Sequence, residues 1–73
     1  MDRNEWQLRM KINGLMLCLE KYVELAEAGG EVHRVQMASI LERLSYCHLA
    51  LREFGIAARL MDEALVMQAP PVH

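Results

Sequence analysis

Apolar residues recur along most of this chain at alternating steps of four and three, the spacing that stacks side chains on one face of an α-helix. The longest such ladder runs His33, Met37, Ile40, Leu44, Cys47, Leu51, Phe54, Ala58, Met61 and Leu65. An earlier ladder of Leu8, Ile12, Leu15, Leu19, Tyr22 and Ala26 predicts a first helix. Its start is marked by Asp2 with Glu5 three residues on, or by Asn4 alone, as capping residues. Gly29 and Gly30 mark its end, because glycine tolerates the left-handed conformation that closes a helix. Met16 and Val23 on one flank, with Cys18 and Leu25 on the other, widen the apolar arc beyond a two-helix seam. This helix is therefore expected to touch more than one neighbour.

Residues 31–67 admit two readings. As one helix they span about 55 Å at 1.5 Å per residue, against about 39 Å for residues 3–28. The aliphatic overhang then needs a second copy of the chain, giving two helical hairpins that dimerise into a four-helix bundle. As two helices, the later one folds back near residues 52–55, with Gly55 supplying the break. Leu49, Ile56, Leu60 and Met67 line up behind the ladder and favour this, since a segment apolar nearly all round packs on several sides. Ser39 and Glu42 have capping-box spacing, which offers a place for the middle helix to begin or restart. The expected fold is all-α: a long N-terminal helix in a hairpin with a second, and a third folding back. The dimerising two-helix hairpin is the alternative. Residues 1–69 form one small domain, and residues 70–73 a frayed tail beginning at Pro70.

Composition adds a constraint on stability. A chain of 73 residues builds a core worth only roughly 3–5 kcal/mol. Its hydrophobic content is 53% with only 5% aromatic, so the core consists of Leu, Met, Ala, Ile and Val, and the surplus favours association. The formal net charge of −2 provides no basic face for nucleic acid. Arg34, Arg43 and Arg52 are nine apart and alternate between helix faces, leaving only Arg52 and Arg59 aligned. Cys18 and Cys47 both fall at core spacing and are expected as reduced, buried thiols in a cytoplasmic protein. The start of the chain has no basic-then-apolar signal, and the longest apolar run, residues 15–19, is too short for a membrane.

No catalytic constellation accompanies these elements. His33, Cys47, His48 and Cys18 lack the spacing that puts two metal ligands on one helix face, and adjacent Cys47 and His48 point about 100° apart. Cys47 lies on the ladder, so a Cys-His nucleophile pair is not expected. Acidic residues have basic neighbours, as Asp62 and Glu63 follow Arg59, and are expected as surface pairs. The chain is expected to be no enzyme and to need no metal or cofactor.

Leu41, Leu44, Ser45, His48, Ala57, Met61, Ala64 and, one residue late, Pro70 occupy the signature places of a known helix pair. Over residues 41–70 the chain resembles one tetratricopeptide repeat, with Leu41, Ser45, His48 and Met61 standing where that family sets tryptophan, glycine, tyrosine and phenylalanine. The resemblance implies a helix-turn-helix unit that binds a protein or peptide in a concave groove, without catalysis. Repeats of this family stack to close a core, so the first helix or a partner must supply the missing neighbour.

Trp6, Met10 and Leu17 lie opposite the first helix's inner ladder, among Arg9, Asn13 and Lys21, with Gly14 in the same stripe. Such residues on a polar face form a hot spot for a partner helix, unless the third helix folds over them as core. With Leu49, Ile56, Leu60 and Met67 they make up the expected partner-binding set. The expected function is a non-enzymatic protein-interaction module: a small adaptor, chaperone or regulator masking a partner's surface. Its partner is another protein or a second copy, not nucleic acid or membrane. The alternatives are a hairpin dimer that binds RNA and a non-catalytic subunit of an enzyme.

Overall fold

Asp2 holds the start of the chain's first helix, its carboxylate accepting the Glu5 backbone N–H at 2.8 Å, as its spacing to Glu5 predicts. The computed structural model describes residues 2–30 and 32–69 and contains α1 (Arg3–Glu27), α2 (Arg34–Ala50) and α3 (Phe54–Gln68). The tail at residues 70–73 lies outside the described residues.

Two turns of the same kind separate the helices. After α1, Gly29 adopts φ 84° and donates its N–H to the Ala26 carbonyl at 3.1 Å, while the Gly30 N–H reaches the Leu25 carbonyl at 2.9 Å. This is a Schellman closure. A Cβ at Gly30 would lie 2.8 Å from the Leu25 carbonyl oxygen, so the second glycine is needed for space as the first is for conformation.

α2 closes with the same two bonds but without glycine. Arg52 takes φ 62° and donates its N–H to Leu49 at 2.9 Å, and the Glu53 N–H reaches His48 at 2.9 Å. The fold-back thus falls within the expected residues 52–55, with the left-handed position at Arg52, while Gly55 sits inside the first turn of α3. Where an apolar contact often braces such a closure, here His48 and Glu53 form a polar one, with His48 Nδ1 lying 2.7 Å from Glu53 Oε1. Two guanidinium N–H groups of Arg9 in α1 also donate to Glu53, at 3.2 and 3.1 Å. One carboxylate thereby joins α1, α2 and the turn into α3. The Arg9 bonds first, and the His48 bond second, hold the Glu53 carboxyl below its ordinary value of 4.5. An ionised carboxylate only accepts, so His48 donates from Nδ1.

α3 runs antiparallel to α2. Ala57 and Ala64 are buried in the seam, and the buried Ser45 hydroxyl donates to the Ala57 carbonyl at 2.7 Å. At the other end Arg34 donates to the Met67 and Val66 carbonyls at 3.3 and 3.0 Å, placing a cation at the C-terminus of α3, where the helix dipole favours it. α1 packs on a different side of α2, with Ile12 against the cluster of Ile40, Leu44 and Cys47. Tyr22 and His33 bring their rings to 5.2 Å at the top of that seam. Among the described residues the backbone of α1 packs on α2 and stays apart from that of α3, so the expected second neighbour touches α1 only at its edge, where Leu60 meets the cluster around Ile12 and Glu53 meets Arg9.

Three further expectations change. The ladder does not continue past Leu51: the turn rotates the face, leaving Phe54 and Leu65 61% and 55% exposed while Ala57 and Ala64 turn inward. Ser39 starts no helix, because α2 already begins at Arg34. Cys18 is exposed on a flank of α1 that α2 does not reach, while Cys47 is buried.

Two measurements test the turn. Arg52→Gly removes the left-handed strain of a side-chain-bearing residue, partly offset by a freer unfolded chain, and should stabilise the fold by roughly 0.5–1 kcal/mol, visible as a higher Tm. Glu53→Gln should lower Tm at neutral pH. A depressed carboxyl pKa contributes stability above about pH 4.5 that is lost as pH falls through the native value. The Tm gap between Glu53→Gln and wild type, followed by circular dichroism, should therefore shrink from pH 7 to pH 3.

Candidate interaction surface

A helix of 25 residues packed mainly on one neighbour leaves most of its circumference in water. In α1 the residues facing α2, namely Leu8, Leu15, Leu19, Tyr22 and Ala26, are partly covered, and Ile12 alone is buried. On the opposite stripe Trp6, Met10 and Leu17 are 56%, 52% and 63% exposed. α3 does not fold over them, because it occupies another side of α2. Gly14 lies in this stripe, and nothing within 4 Å would meet a Cβ there.

The other expected partner-binding residues divide between two places. Leu60 packs against the cluster around Ile12 and Leu44, which turns its flank of α3 toward α1. Met67 is half-buried, and Ile56 is more exposed. By helical spacing Ile56, Leu60 and Met67 share that flank. Leu49 does not join them. It is one heptad beyond Glu42, whose carboxylate accepts from Gln68 on the other flank of α3. That flank also carries the exposed Phe54 and Leu65, which were expected as core. Only the position of the turn brings Leu49, Phe54 and Leu65 to one side, a signal absent from uninterrupted periodicity.

The buried Cys47 borders a shallow depression with Lys11, Leu15, Arg43 and Tyr46, while His48 spends its Nδ1 on Glu53. Among the described residues no three His, Cys, Asp or Glu side chains come together as a metal-holding group. No helix among them is long and apolar enough to cross a membrane.

The molecule is also more open than its size requires. Its radius of gyration is 13.4 Å, where a compact chain of this length has about 11 Å. Its accessible surface is 5541 Å², against about 4600 Å² for a closed monomer of this mass. Comparisons with protein-family models, with curated proteins and with solved structures return no match to this chain.

Proposed function

We propose that this chain is a non-enzymatic protein-interaction module that works by laying the outer face of α1 against another polypeptide. The observation that carries this reading is the stripe of Trp6, Met10 and Leu17, each more than half exposed on a helix whose opposite stripe α2 covers. A tryptophan and a methionine at the centre of such a face supply the large, adaptable contacts that dominate binding energy. Burying each one fully is worth on the order of 1.5–3 kcal/mol. The acidic residues Glu20 and Glu24 border the stripe and would select among partners by charge.

The α2–α3 pair fits a tetratricopeptide-like role within this reading. Of the positions that carry the resemblance, Leu41, Leu44, Ser45, Ala57 and Ala64 are buried, His48 and Met61 are partly covered, and Pro70 lies outside the described residues; Ser45 bonds across the seam to Ala57. α1 stands where a stacked repeat would supply its neighbouring helix.

Met10→Glu tests the module. A substitution on a water-facing stripe changes the stability of the unassociated chain by less than about 0.5 kcal/mol, so at concentrations too low for association its helical circular dichroism and Tm should match wild type. The same variant should lose partners that the wild-type protein retains in affinity purification. A collapse of its helical signal would make Met10 part of the core and remove the basis of this function.

A further inference from the structure

The outer stripe of α1 is complementary to its own reverse. In order it presents Arg3, Trp6, Met10, Asn13, Gly14, Leu17, Lys21 and Glu24, all exposed. Turned end for end about the point between Asn13 and Gly14, Arg3 comes opposite Glu24, Trp6 opposite Lys21, and Met10 opposite Leu17. Each coincidence is a favourable contact: an ion pair, a cation over an indole face, and an apolar pair. We propose that the occupant of this face is a second copy of the chain, with the two α1 helices packed antiparallel across a two-fold axis at Asn13 and Gly14. This rests on the interaction reading above and names its partner.

Two independent features support self-pairing over a different protein. First, the charges on the stripe and its border differ between the two ends: Arg3 stands at one, and Glu20 and Glu24 against Lys21 at the other. A parallel pair would set like against like, whereas an antiparallel pair sets the basic end of each copy on the acidic end of the other. Second, glycine inside a helix is unfavourable, and nothing within this chain crowds Gly14. At the crossing point of two helices a missing Cβ allows the backbones to close in.

Sedimentation equilibrium of the full chain, from micromolar to millimolar, tests the pairing. The expected result is a reversible species of twice 8.4 kDa. Arg3→Glu alone and Glu24→Arg alone should each raise the dimer dissociation constant about tenfold, because two symmetry-related pairs turn from attraction to repulsion. The double variant should return it close to the wild-type value. Arg3→Glu suits the first turn of α1, while Glu24→Arg puts a basic residue in its last turns at the loss of an exposed, weakly stabilising pair with Lys21 at 3.9 Å. Circular dichroism on the same samples checks that the fold is retained. A wild-type monomer throughout the range overturns the second-copy assignment. So does a dimer that is indifferent to both reversals, or one that the double variant fails to restore. The interaction reading survives those outcomes as long as Met10→Glu stays folded and loses binding, and it falls with the dimer if Met10→Glu unfolds.

Discussion

Among the described residues α2 is the helix whose backbone is packed on two sides, and the fold depends on the turn that sends α3 back along it. Leu44 has no exposure because it lies in the cluster that α1 and α3 both close over. A continuous helix over residues 31–67 would leave Ala38, Leu41 and Ser45 facing water instead of Ala57 and Ala64. The turn is held by backbone bonds from Arg52 and Glu53 and by the side chain of Glu53, which meets Arg9 and His48. A left-handed arginine is unfavourable by about 1 kcal/mol or more, so these bonds together must outweigh it. Because Arg9 belongs to α1, the same carboxylate also fixes how α1 lies across the end of the pair.

Those two turns explain what was legible in the residues alone. α1 carried local signals at both ends, the Asp2–Glu5 cap and the Gly29-Gly30 closure, and its inner stripe follows from a 3.6-residue period. The second turn has no such signal. Arg52 is an unremarkable residue for a helix interior, and the Arg9–Glu53 bonds that help hold the turn join positions 44 apart in sequence. Gly55 attracted the break because glycine is the usual marker, yet local propensity lost to tertiary hydrogen bonding. The ladder's apparent continuation through Phe54 and Leu65 was a numerical accident: steps of three and four persist across a turn that rotates the face.

The candidate surface divides along the same line. Trp6, Met10 and Leu17 sit within one regular helix, so their common direction follows from geometry, and only the position of α3 was needed to decide whether they are covered. Leu49 and Leu60 lie on opposite sides of the break, so nothing short of the turn's location could separate them. Cys18 and Cys47 show a further limit of periodicity. Both occupy apolar positions, but such a position becomes core only where another helix reaches it: α1 packs over Cys47 of α2, while α2 does not reach Cys18 of α1.

The consequence for binding is mechanical. α1 docks on α2 through one stripe and offers the opposite stripe outward, about half a turn of helix away, so the two contacts do not compete for side chains. An occupant on the outer stripe therefore has no reason to displace α1 from α2, and it adds buried apolar area to a helix that has one buried residue of its own. By mass action, anything that binds only the folded chain raises its apparent stability. For a domain this small, whose isolated core is worth a few kcal/mol, that linkage is comparable in size to the whole folding free energy. Under the proposed pairing, occupancy of the α1 face and persistence of the fold would form one coupled equilibrium.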